Sequence, residues 1–102
     1  MNVITLEAAD EELLKAKDYY ETQRPGLGGE FVQAFEEAME RVVAYPEAWG
    51  LIARKARCCI FKRLEYGVIY VVRDETIFVL AVMHLKRRPG YWKKRLREIE
   101  DS

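Results

Sequence analysis

The run Thr76-Ile77-Phe78-Val79-Leu80-Ala81-Val82-Met83, closed by the chain's only histidine, His84, decides how the rest of the sequence is read. An unbroken apolar run of this length, rich in branched residues, is a buried β-strand, since a helix would show apolar and polar positions at a spacing of three and four. Directly after it come Lys86, Arg87, Arg88, Pro89, Gly90, Tyr91 and Trp92. A strand end can hold a titratable ring, guanidinium groups and two aromatics at fixed geometry, a combination suited to a phosphate-rich or acidic partner.

Upstream, Asp74-Glu75 reads as a turn, preceded by a second apolar strand over Tyr66 to Arg73 and a third over Lys55 to Leu64. In the middle strand Val68, Tyr70 and Val72 alternate with Ile69 and Val71, all apolar, which predicts a central position with both faces in need of cover. The N-terminal half has the other periodicity. After a short β-prone segment, Val3 to Leu6, residues Ala9, Leu13, Ala16 and Tyr20 fall on one helical face, with Asp10, Glu11 and Glu12 in the first turn. That helix runs to about Thr22. Arg24-Pro25-Gly26-Leu27-Gly28-Gly29 breaks it, and a second helix carries the stripe Phe31, Phe35, Ala38, Val42 and Tyr45 before Pro46 closes it. Tyr91 to Glu100 forms a basic amphipathic helix in which Trp92, Leu96 and Ile99 share a face that can pack on the sheet.

The expected fold is therefore α+β in the order βααβββα: a short N-terminal strand and an antiparallel helical hairpin packed on one face of a mainly antiparallel sheet. A length of 102 residues predicts one domain, 1–102, around one core. Half of the residues are apolar, yet none of the runs approaches the roughly 18 apolar residues of a membrane span, and the first residues lack a secretory pattern. A soluble, cytoplasmic protein is the expectation. Cys58 and Cys59 are adjacent, so in a strand they point to opposite faces and cannot bridge each other. One histidine with no CxxC or HxxH spacing predicts no metal site, and the lack of GxGxxG or P-loop glycines predicts no nucleotide cofactor.

The formal net charge of zero conceals a division. Residues 1–50 hold four Lys/Arg against eleven Asp/Glu, a net of −7, while residues 51–102 hold thirteen against six, a net of +7. An acidic helical side and a basic sheet end follow if the halves form separate surfaces.

This order of elements, with Tyr19-Tyr20, the Pro25-Gly26-Leu27-Gly28 turn, Phe31 and Pro46 in the helical half, resembles the RelE/ParE toxin superfamily. In the second half Arg57, then Tyr66-Gly67-Val68-Ile69-Tyr70, then Ile77 to His84 followed by Arg87-Arg88-Pro89 and Tyr91-Trp92, resembles that family's core motif and its ending. The resemblance implies the toxin of a type II toxin–antitoxin module, a plasmid stabilisation protein held inactive by a cognate antitoxin with which it forms a hetero-oligomer. Two activities are implied by different branches: ParE-like inhibition of DNA gyrase by protein binding, and RelE-like, metal-independent cleavage of mRNA on the ribosome. A degenerate, non-toxic antitoxin-binding protein is the third reading.

Metal-free RNA cleavage requires a base for the ribose 2′-hydroxyl, cations around the phosphorane and an acid for the leaving oxygen. His84, Arg63, Arg87 and Tyr91 are the residues that resemble such a site. Arg57, Arg87, Arg88 and Trp92 are the candidates for contact with substrate or partner. Each has a packing alternative. His84 continues the alternation Phe78, Leu80, Val82 and so suits a boundary position; Arg57 suits a structural tie between sheet and helices; Trp92 suits the apolar seam of the last helix. Glu47 and Glu65 sit beside a helix-ending proline and a turn, ordinary places for solvated carboxylates, and are set aside as general bases.

Overall fold

The computed structural model describes residues 1–88 and 90–100, so Pro89 of the closing motif and the last two residues of the expected domain lie outside the described residues. The chain runs β1 (Asn2–Thr5), α1 (Glu7–Gln23), α2 (Leu27–Ala44), β2 (Gly50–Ala53), β3 (Ala56–Ile60), β4 (Tyr66–Arg73), β5 (Thr76–His84) and α3 (Arg95–Glu100). The fold is α+β, as the two periodicities in the sequence require, with a five-stranded sheet in the order β1-β5-β4-β3-β2. Strands β2 to β5 form an antiparallel meander, and β1 closes the far edge by pairing parallel with β5, Val3 opposite Ile77.

The sheet is sandwiched. On the helical side Ala9, Ala16, Phe31, Ala34, Ala38 and Val42 pack on Cys59, Val68, Tyr70, Ile77, Val79 and Val82. On the other side Trp92, Leu96 and Ile99 of the C-terminal segment cover Ala56, Ile69, Val71, Leu80 and Ala81. This double cover is why β4 is apolar from Val68 to Val72 and β5 from Ile77 to Met83. The adjacent cysteines divide as their strand demands: Cys59 enters the helical-side core, Cys58 packs at the margin of the other, and both are free thiols.

Two departures from the sequence reading matter. The segment after Pro46 contains an additional strand, β2, which pairs with a β3 that spans only Ala56–Ile60 instead of Lys55 to Leu64. Only four residues long and exposed along most of its length, β2 lacks the alternation by which strands are recognised. The last helix is also shorter than expected, since Gly90 to Lys94 form turns and only Arg95–Glu100 is helical. Trp92, Leu96 and Ile99 nevertheless share the buried face.

The helical hairpin is closed by its own backbone. Gly26 takes a φ of 89°, and the Glu21 carboxylate accepts hydrogen bonds from the amides of Gly26 and Gly28, at 3.1 and 3.0 Å. Glu21 thus caps the N-terminus of α2, and those amides hold its carboxyl below the usual carboxylate range. At Gly28 the helices touch, because a Cβ there would stand 2.8 Å from the Lys17 carbonyl oxygen. Gly28 and Gly29, expected in the break, are already within α2. Tyr45, expected on its apolar stripe, follows the helix and is exposed.

Candidate functional site

An irregularity in β5 builds the site. Ile69 pairs with Ala81 but Tyr70 pairs with Val79, so Leu80 is an extra residue bulged out of the ladder. Up to that point Ile77 and Val79 face the helices while Phe78 and Leu80 face the C-terminal segment. Beyond it Ala81 still faces that segment, and Val82 faces the helices. The phase has changed by one residue. His84 therefore lies on the helical side with Val82, and the expected continuity with Phe78 and Leu80 is broken by the bulge.

A bulge leaves ladder groups unpaired, and here two side chains take them. The Val82 amide donates to Glu12 at 3.1 Å, and Arg95 donates to the Leu80 carbonyl at 2.9 Å. These two partners are also paired with each other, Arg95 Nη1 to Glu12 Oε1 at 2.8 Å, with side chains only 16% and 13% exposed. The Tyr91 hydroxyl donates to the same carboxylate at 2.6 Å. Burial, with that carboxylate, pushes the phenol well above its usual range. Arg87 lies 3.8 Å from Glu12 and stacks its guanidinium 3.8 Å over the Tyr91 ring. One carboxylate on α1 thereby gathers the bulge, the C-terminal segment and the cation that follows β5.

His84 stands at the mouth of this cluster. Its ring meets Tyr66 edge to face at 5.1 Å, and Tyr66 meets Phe31, itself stacked on Tyr20, so the histidine ends an aromatic chain that begins in the core. Its Nδ1 accepts the Lys86 amide at 3.1 Å. With Nδ1 so engaged, Nε2 is the ring nitrogen without a hydrogen-bond partner among the described residues. A cavity of about 630 Å³ opens there, lined by Tyr19, Tyr20, Tyr66, His84 and Arg87.

The other expected residues are dispersed. Arg63 pairs with Glu37 of α2 at 3.5 Å and does not line the His84 cavity. Arg57 donates to the Trp49 carbonyl at 2.7 Å, and the Trp49 indole donates to the Arg41 carbonyl at 3.2 Å, a tie from the sheet to the end of α2. Beside Arg57 on the sheet, buried Tyr70 donates to the Pro46 carbonyl at 2.6 Å, and burial pushes its phenol up to about 12. Trp92 is 2% exposed and packs with Leu96 and Ile99 under the sheet. Arg88 is exposed and without a hydrogen-bond or ion-pair partner among the described residues. No three His, Cys, Asp or Glu side chains among the described residues converge as metal ligands, and no described helix is long and apolar enough to cross a membrane.

Glu12 and Arg95 escaped the sequence reading. A signal for the first was present: Glu12 lies three residues after Ala9 and four before Ala16, both buried, so it is the polar member of a core-facing stripe. For Arg95, set among Lys93, Lys94 and Arg97, the sequence offers no such mark.

Residues 3–89 match the family described as the ParE toxin of the type II toxin–antitoxin system, parDE. No curated protein matches the chain in sequence. A solved structure described as the chromosomal ParDE TA system from P. aeruginosa has a chain of the same fold, with a TM-score of 0.63 at 14% identity, covering 84% of this chain and 97% of that one. The chain belongs to the ParE toxin family of type II toxin–antitoxin systems.

Proposed function

We propose that this chain is the toxin of a type II module, held by a cognate antitoxin, and that once free it arrests growth in the cytoplasm by binding DNA gyrase. The family match supports a toxin with an antitoxin partner. The observation that supports binding over RNA cleavage is the engagement of Glu12. Its carboxylate accepts a hydrogen bond from the Tyr91 hydroxyl, pairs with Arg95 and lies within 4 Å of Arg87. A general base needs a free lone pair and a phosphorane needs uncommitted cations. Tyr91 is held protonated, Arg87 already has a carboxylate beside it, Arg63 is paired elsewhere, and the His84 Nδ1 lone pair accepts a backbone amide. What remains accessible is a surface of rings with one cation, Tyr19, His84 and Arg87, which line one cavity and are fitted to contact.

The endoribonuclease reading draws on one observation, that His84, Tyr66 and Arg87 line a single cavity. The two readings separate on expression of His84→Ala and Arg87→Ala without antitoxin. Under gyrase binding, transcripts remain intact for the unmodified chain and for both variants, and the purified unmodified chain inhibits supercoiling. Transcript cleavage that disappears in His84→Ala would establish the nuclease instead, and a wild-type chain that causes no arrest would leave the antitoxin-binding role alone.

A further inference from the structure

The sheet ends at β2, whose outer edge has no neighbouring strand. Its four residues, Gly50-Leu51-Ile52-Ala53, hold neither a charge nor a proline, two of the means by which edge strands are kept from pairing with another chain. Leu51 and Ile52 are 57% and 47% exposed. A register shift aims both the same way. Gly50 pairs with Cys58 and Leu51 with Arg57, but Ala53 pairs with Ala56, so Leu51 and Ile52 both stand opposite Arg57. Leu51 is on the helical side of the sheet, as are Arg57 and the Tyr70 that Arg57 pairs with. Ala53 is on the other side with Ala56, and alternation back from it puts Ile52 on the helical side as well. Two adjacent apolar side chains thus share the sheet margin, on the face away from the C-terminal segment.

Charge flanks this apolar pair with opposite signs. Glu47 lies in the turn before the strand and Arg54 and Lys55 form the turn after it; all three are exposed, and none has a hydrogen-bond or ion-pair partner among the described residues. The order carboxylate, apolar pair, cations is its own complement when reversed. Antiparallel pairing of two copies about a two-fold axis at Leu51 sets Glu47 of each level with Lys55 of the other and beside Arg54, while Leu51 and Ile52 of both meet at the centre. Parallel pairing would set like charges together. The opposite edge lacks this pattern, because β1 exposes Val3 and Ile4 but no Lys or Arg precedes Lys15.

We propose that β2 seats a second copy of this chain, paired antiparallel about a two-fold axis at Leu51, so that two five-stranded sheets become one continuous sheet. The dimer covers Leu51 and Ile52 of both copies and joins each Glu47 to the cations of the other copy. No residue lining the His84 cavity comes from β2 or β3, so both cavities stay open and the pairing is independent of the choice between gyrase and RNA. Short strands and few apolar side chains make a small interface, with half-association expected on the order of 10 µM.

Sedimentation velocity of the whole purified chain at low salt, from about 1 to about 300 µM, tests this and should show a monomer passing to a dimer. Two charge variants distinguish this pairing from any other. Glu47→Lys leaves cations at both ends of β2, and Arg54→Glu/Lys55→Glu leaves carboxylates at both ends, so each should self-associate about tenfold or more weakly than the unmodified chain. An equimolar mixture of the two restores opposite charges at both contacts, and the dimer should return. Leu51→Ser/Ile52→Ser should stay monomeric, with a melting temperature near that of the unmodified chain because both positions are exposed. Hydrogen exchange at the amides of Gly50–Ala53 should slow as concentration rises, while Asn2–Thr5 does not change. A monomer at every concentration, a dimer that survives Leu51→Ser/Ile52→Ser, or a mixture no more associated than its components would each overturn the proposal. So would slowing at Asn2–Thr5 in place of Gly50–Ala53, which would move the interface to β1. Slowing at Gly50–Ala53 that occurs only in the complex with the antitoxin would make an antitoxin strand the occupant and would equally refute the second copy.

Discussion

At the scale of single residues, Glu12 carries more of this structure than any group the sequence brings forward. Its side chain accepts from the Val82 amide, the Tyr91 hydroxyl and both terminal nitrogens of Arg95, residues between 70 and 83 positions away. A mostly buried ion pair adds little against a well-packed apolar substitute, but removal of one partner leaves the other charge without a counterion in a desolvated place. Glu12→Ala strands the Arg95 guanidinium, the bulge amide and a phenol together. A loss of about 3 kcal/mol of stability is expected for it, equivalent to a fall in melting temperature of more than about 10 °C for a domain of this size. Glu12→Gln retains an acceptor for the amide or the phenol and should lose less. Thermal and urea denaturation of both variants check this, and a Glu12→Ala protein within about 0.5 kcal/mol of the unmodified chain, the range of an ordinary surface substitution, would show the network to be incidental. His84 gives the complementary lesson. Its alternation with Phe78 and Leu80 was visible in the sequence, but the extra residue at Leu80 reversed its face, and one inserted position inverts every side chain that follows.

At the scale of elements, the helical hairpin and the two central strands were legible because each buries a face whose period is imposed by its backbone. Phe31, Ala38 and Val42 repeat at the helical spacing, and Val68 to Val72 are apolar at consecutive positions because both faces are covered. β2 was not legible, since an exposed four-residue edge strand is specified by its partner β3 and by the hairpin turn more than by its own pattern. The site was legible only in part. Tyr66, His84 and Arg87 do meet, but Arg57 and Arg63 share their composition and not their location, because nearby carbonyls and Glu37 captured them. Hairpin closure gives an element-scale prediction with a built-in control. Gly28→Ala would press its methyl against the Lys17 carbonyl at 2.8 Å, whereas a methyl at Gly29 meets nothing within 4 Å. Both changes gain helix propensity, up to about 1 kcal/mol. At Gly28 the overpacking, about 1–3 kcal/mol, outweighs that gain. The urea midpoint is thus expected to fall for Gly28→Ala and to rise for Gly29→Ala, and a rise for both would mean that the helices separate at no cost.

At the scale of the molecule, the charge division found along the sequence becomes a division in space. The helical layer holds most of the acidic residues of the first half, and the C-terminal segment on the other face of the sheet exposes Lys93, Lys94 and Arg97, with Arg88 just before it. The formal net charge of zero therefore describes a dipolar body whose basic face can steer an acidic partner from a distance. Steering acts on encounter, and exposed rim charges act little on the lifetime of the docked state. Association with the antitoxin should accordingly slow as salt rises and the Debye length shrinks, from about 30 Å at 0.01 M to about 8 Å at 0.15 M. Reversal of two exposed cations, Lys93→Glu with Lys94→Glu, moves four charge units on that face without touching the buried seam of Trp92, Leu96 and Ile99. Stopped-flow association should then be slower by about tenfold at low salt, with the two proteins converging as salt increases and with dissociation nearly unchanged. If the association rate proves indifferent to both salt and the reversal, encounter is governed by contacts at the docked surface, and the division of charge serves solubility alone.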